Sequence, residues 1–167
     1  KQAEQLKELQ ETIGETLIWN NFKYYAAPIF YYVLLGVPGI VFYITLLCLV
    51  EKIYFDRDNL PQALVDKKEV LKTWLEWADW LPARLVTLGF MFVGHFSKAL
   101  PLWIENLLDF DLKPQQFLAK VAKASEDYMV DEEDCTAEPC VLVRLAKRNM
   151  LLFLALISMM TLTGALG

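Results

Sequence analysis

The chain has 167 residues, of which 56% are hydrophobic and 13% aromatic, more than the apolar share usual for soluble domains, and this favours a membrane protein. A formal charge of −5, with no arginine-rich stripe interleaved with aromatics, argues against nucleic acid as a partner. Three cysteines, an odd number with Cys48 inside an apolar run, argue against a secreted disulfide framework.

Residues 1–25 begin in what reads as the middle of a helix, as though an N-terminal part preceded them, and carry Leu6, Leu9, Ile13 and Leu17 at helical spacing. They are read as a cytoplasmic amphipathic helix. Residues 26–50 then run for 25 positions without a charge, and at about 1.5 Å per residue that exceeds a hydrocarbon core of about 30 Å. This is the first expected transmembrane helix. Tyr24, Tyr25, Tyr31 and Tyr32 crowd its start and Tyr54 lies past its end, as interfacial aromatics do. Pro28, Gly36, Pro38 and Gly39 interrupt it. Pro38 denies the Leu34 carbonyl its hydrogen bond, which predicts a kink within a turn of Gly36 that faces the second span and opens space for a ligand or a moving contact. Close helix packing on the glycines is the alternative reading.

Residues 51–82 are expected to form a periplasmic loop and a Trp-rich helix, with Leu64, Leu71, Trp74 or Leu75, and Ala78 in register and Trp74, Trp77 and Trp80 at headgroup level. Residues 83–104 are read as a second transmembrane or interfacial helix, although only 13 of them, 85–97, run without a charge. Residues 105–148 form a cytoplasmic helix capped by Asp111, followed by the acidic loop of Asp131 to Asp134. Residues 149–167, uncharged throughout, make a C-terminal transmembrane helix behind Arg144, Lys147 and Arg148. The fold class is therefore all-α and polytopic, with about three spans. Residues 1–25 and 98–148 carry ten Lys and Arg against six in residues 51–84, which places the first two stretches in the cytoplasm.

The chemical inventory is thin. No phosphate loop, no Gly-x-Ser-x-Gly elbow and no Cys-His pair in one compartment is present. Cys135 and Cys140, in "DEEDCTAEPC", lack the further ligands a zinc site needs, and the single histidine, His95, lies in a separate apolar segment. Neither a metal nor a cofactor is assigned. The candidates are polar groups at the ends of spans: Glu15, Asn20, Asn21 and Lys23 before the first, Asp79 and Arg84 around the second. Simple anchoring of helix ends is the alternative.

"ELQETIGETLIWNNFKYYAAPIFYYVLLGVPGIVFY", followed by "WADWLPARLVTLGFMFVGHFSKALPLW", resembles the AmpE family, and more broadly the CobD/CbiB superfamily, over residues 8 to about 125. The family's first pair of spans is missing, in keeping with the abrupt start at Lys1. The resemblance implies a multi-pass protein of the bacterial inner membrane that modulates β-lactamase induction, is linked to cell-wall recycling and has no catalysis of its own. Its expected partners are the lipid bilayer, a cell-wall-derived or other small ligand, and a membrane protein or second copy. The alternative it implies is an ATP-dependent amide-forming enzyme of the CobD/CbiB class. Those enzymes are similar to the chain at Glu15, Asn20, Phe30, Gly36, Tyr43 and "PARL", which adds Tyr43 to the ligand-binding candidates. They carry a second Glu at Trp19, Ser-Asp at Phe22 and Lys23, and Asn and Asp at Leu47 and Val50. The resemblance thus implies a kept scaffold and a lost synthase site.

Overall fold

A computed structural model describes residues 13–55, 65–109, 112–126 and 137–164, and every regular element among them is helical. Leu6, Leu9, Leu64, Asp111, the Asp131 to Asp134 run and Cys135 lie outside the described residues.

Helix α1 (residues 13–21) leads without a break through a π-helical turn, Phe22–Ala26, into α2, Ala27–Leu35, and Gly36 separates α2 from α3, Val37–Phe55. Gly36 has φ 69° and ψ −151°, a conformation open in practice only to glycine, and there the chain reverses. Lys23 Nζ lies 2.7 Å from Glu51 Oε1, and the rings of Tyr31 and Tyr43 stack at 5.1 Å between centroids. Residues 28 positions apart would be about 42 Å apart on one straight helix. The single kinked helix expected over residues 26–50 is therefore corrected to a hairpin of two helices whose outer ends meet.

Pro38 does not break this helix. It is the second residue of α3, where an N–H would have no intrahelical partner, so its lack of one leaves nothing unsatisfied. Gly36 closes the turn itself. Its N–H donates to the Tyr32 carbonyl at 2.8 Å, and its own carbonyl accepts from the N–H of Gly39 at 3.1 Å and of Ile40 at 3.3 Å. Gly39 is where the arms press together: a β-carbon there would strike the Tyr31 carbonyl oxygen and come within 2.6 Å of Leu35 Cβ.

Helix α4, Lys68–Val93, packs antiparallel to α3, with the Lys68 ammonium 4.1 Å from the centroid of the Tyr54 ring at one end and Asp79 against Tyr43 further along. It joins the expected Trp-rich helix and the start of the expected second span into one element, running straight through Pro82. A proline inside a helix removes the hydrogen bond to the carbonyl four residues earlier. That carbonyl belongs to Ala78, and the Tyr31 hydroxyl donates to it at 2.8 Å. The hairpin thus supplies the bond that Pro82 withholds.

The second apolar run also folds back. Helix α5, Phe96–Asn106, returns along α4 after a turn at Gly94 and His95, so that Trp103 Nε1 donates to Thr87 Oγ1 at 3.1 Å. The His95 N–H donates to the Ser125 carbonyl at 2.7 Å at the end of α6, Pro114–Ser125. The expectation of one through-going helix over residues 83–104 is corrected accordingly. Met91, Ala99, Phe117 and Val121 bury the joint between α4, α5 and α6.

Helix α7, Ala137–Leu162, contains the start of the expected third span in its interior. Its Leu142 and Leu145 join the main core with Ile18, Phe22, Leu47 and Phe90. Asn149 is buried against α4, donating through Nδ2 to the Val86 carbonyl at 3.3 Å, and occupies the space a side chain at Gly89 would need. Beyond it Leu151, Leu154, Met159 and Leu162 are exposed. Among the described residues one helix, α3, is long and apolar enough to cross a membrane, by length and composition.

Candidate functional site

Where α1 and the π turn meet α3, α4 and the start of α6, an open cleft of about 680 Å³ forms. A π turn carries one extra residue per turn, which rotates the downstream helix by about 100° relative to an unbroken α-helix. Here it itself carries the cleft-lining Lys23 and Tyr24 and separates Trp19 and Asn20 from the hairpin arm beyond.

One wall is an ion pair with a third partner. Glu51 Oε1 accepts from Lys23 Nζ at 2.7 Å and from the Tyr24 hydroxyl at 2.6 Å. The hydrogen bond to Glu51, then partial burial and the Glu51 charge, push Tyr24 above the usual tyrosine pKa, so it remains a neutral donor at physiological pH. The floor is Asp79, 2% exposed, whose Oδ1 accepts from the fully buried Tyr43 hydroxyl at 2.8 Å. Lys72 and Glu76 of α4 and Lys113 at the foot of α6 complete a rim of mixed charge, with Trp19 and Tyr54 as apolar surface.

The lining holds three amines (Lys23, Lys72, Lys113) and three carboxyl groups (Glu51, Glu76, Asp79), with no Ser, Thr, Cys or His among them. Among the described residues no three His, Cys, Asp or Glu side chains are grouped as a metal site requires. The arrangement offers ionic and hydrogen-bonding groups of both signs beside an indole face. Such groups can pair with amines and with acids alike.

The family model described as "Regulatory signalling modulator protein AmpE" matches residues 1–167 of this sequence. The chain belongs to the AmpE family. It is similar to Protein AmpE of Shigella flexneri, with 30% identity over 168 residues that cover 99% of the chain and 56% of that relative. The chain thus spans about half the length of the curated AmpE protein it matches. No solved structure matches it.

In this AmpE-family chain the structure brings Asn20 and Asp79 together at the cleft, with Tyr43 fully buried behind Asp79. It places Glu15 elsewhere, 3.0 Å from Lys123 of α6. Arg84 is also elsewhere: its guanidinium carbon lies 4.5 Å from the Trp80 ring centroid and 4.6 Å from that of Phe117. Its Nε and Nη2 donate to the Leu107 and Asp109 carbonyls at 3.3 and 2.9 Å. Arg84 ties the start of the second hairpin to its end. Gly36 and Pro38 lie at the hairpin tip, 15 and 13 residues from Glu51 and roughly 20 Å away. Glu51, Glu76, Lys72 and Lys113 are not among the sequence candidates. Only the reversal at Gly36 brings Glu51 to Lys23, and no local pattern announces a pair so far apart in sequence.

Proposed function

We propose that the full-length protein containing this chain is a multi-pass regulatory protein of the bacterial inner membrane. In this reading it modulates β-lactamase induction, is linked to cell-wall recycling, has no catalysis of its own, and receives a small ligand in the cleft between α1, α3 and α4. The whole-length match to a family of regulatory signalling modulators carries this reading. The ligand-binding group is Asn20, Asp79 and Tyr43, joined by Lys23 and Glu51; Glu15 and Arg84 hold the frame.

The cleft's own charges support a receptor. Lys23 is already bonded to Glu51, and Asp79 to Tyr43, so a ligand of mixed charge enters by competing for existing bonds. Binding of that kind shifts a population between arrangements by its differential affinity for them. The departures from the CobD/CbiB pattern point the same way. Trp19, Lys23 and Val50 all line this cleft, at positions where the resemblance implies carboxylates for magnesium or amine chemistry in the synthases. An indole, an ammonium and an isopropyl group supply neither.

The test uses the full-length protein in a strain with an inducible β-lactamase and no other member of this family. Lys23→Glu and Glu51→Lys, each alone, place like charges together, and each is expected to reduce modulation of induction by roughly fivefold, the effect of about 1 kcal/mol. The double exchange restores the pair and should recover most of it. Wild-type induction in both single variants, at normal membrane levels, would remove the cleft from the account.

A further inference from the structure

We propose that the hairpin of residues 22–51 enters the bilayer with Gly36 foremost and returns to the surface it left, so that α1 and the N-terminal half of α4 share one aqueous side. This deepens the membrane reading above and rests on it.

Four observations converge. First, both ends of the uncharged run meet: Lys23 and Tyr24 bond to Glu51, so the run begins and finishes at one level. Second, the tip is apolar and bare. Leu34, Leu35 and Val37 are 58, 56 and 63% exposed, and no residue from 26 to 50 carries a charge.

Third, the backbone at the tip is fitted to a solvent that cannot hydrogen-bond. Irregular backbone is tolerated at membrane depth only where its polar groups are satisfied. Gly36 satisfies its own N–H and carbonyl within the turn, and Pro38 removes one of the N–H groups that the start of α3 would otherwise leave open.

Fourth, although α3 as a whole is long enough to cross when Glu51 and Lys52 are included, the uncharged arms are too short to finish a crossing, the first of them, residues 26–35, extending only about 15 Å. The uncharged part of α3, residues 37–50, extends about 21 Å, against a hydrocarbon core of about 30 Å. Its last turn carries Glu51 and Lys52, and the exposed rings of Tyr24, Tyr25 and Tyr54 surround that end as interfacial aromatics would. A dip that stops within the hydrocarbon meets all four conditions. A single span fails the first, and a pair of full spans fails the fourth.

The topology also changes the meaning of the charge pattern. With residues 1–25 and 51–84 on one side, the ten-to-six count of basic residues no longer distinguishes opposite faces of the membrane.

The experiment labels single cysteines in the full-length protein, in its native membrane, with every native cysteine replaced by alanine. Tyr25→Cys and Phe55→Cys report the two ends, Lys52→Cys serves if Phe55→Cys fails to accumulate, and Val37→Cys reports the tip. A membrane-impermeant maleimide is applied to spheroplasts and, separately, to inverted vesicles. Both end positions should react in the same preparation and not in the other. The tip should react in neither until detergent is added. Reaction of the two ends in opposite preparations would overturn the proposal in favour of one crossing, and reaction of Val37→Cys from the side opposite the ends would overturn it in favour of two. Release of the protein by an alkaline wash, with all positions reactive in the soluble fraction, would instead refute membrane placement itself.

Discussion

Leucine in place of Gly39 should open the hairpin. The β-carbon alone would occupy the position of the Tyr31 carbonyl oxygen and press within 2.6 Å of Leu35 Cβ, and a backbone carbonyl cannot swing aside as a flexible side chain can. The arms must separate, which breaks the Tyr31 and Tyr43 stack and withdraws the Tyr31 hydroxyl from the Ala78 carbonyl that Pro82 leaves open. Overpacking against backbone belongs at or above the top of the usual range of about 1–3 kcal/mol. In a chain of this length 3 kcal/mol lowers the melting temperature by roughly 6–12 °C. Pro38→Leu is the matched control. Pro38 is exposed in the first turn of α3 and its ring satisfies nothing, so its loss should change the melting temperature by a few degrees at most. Thermal unfolding of the purified full-length protein in detergent checks both. Equal destabilisation by the two substitutions would mean that the proline, and not the glycine contact, shapes the turn.

Arg84→Ala is expected to be the most damaging change away from the hairpin. Arg84 is 3% exposed, sandwiched by Trp80 and Phe117, and bonded to the carbonyls of Leu107 and Asp109 where α5 ends. Truncation leaves two acceptors without donors, at about 1–3 kcal/mol for each buried group left unsatisfied, and removes two ring contacts of roughly 0.5–2 kcal/mol. The expected loss is about 3 kcal/mol or more. Lysine keeps the charge and cannot reproduce the fork, so Arg84→Lys should fall between alanine and wild type. Limited digestion with a glutamate-specific protease locates the damage: the alanine variant should gain cleavage at Glu105, in the last turn of the freed α5, before the α2 and α3 hairpin is cut at Glu51. If Arg84→Ala unfolds normally and loses only modulation of induction, Arg84 belongs to the ligand site as the sequence pattern suggests.

Composition and helical spacing are sufficient to read an all-helical chain, and the polar groups at the ends of apolar runs do include the cleft residues Asn20 and Asp79. What the sequence conceals is direction. A glycine flanked by apolar residues kinks one helix or reverses two, and the local pattern is the same. The deciding contacts are distant in sequence: Lys23 with Glu51, Tyr31 with the Ala78 carbonyl, Trp103 with Thr87. Pro82 shows the same limit. Read locally, it marks a helix start, yet it sits inside α4 because a tyrosine from the hairpin replaces the bond it cannot make. Glu51 is hidden for a related reason, since it lies just beyond an apolar run whose two ends, read as one span, belong on opposite sides of a membrane.

Cysteines at Lys23 and Glu51 test the reversal at Gly36 most directly, because that reversal both builds the cleft wall and sets the path of the hairpin. In the full-length protein in its native membrane, with other native cysteines replaced by alanine, a short bifunctional thiol reagent should link the two positions within one chain. Mass spectrometry of the linked peptides identifies the product. On a straight or gently kinked helix the two positions are about 42 Å apart, beyond the reach of such a reagent. An intrachain link in most molecules is the predicted result; two cysteines that each react singly and never join within a chain would contradict the hairpin.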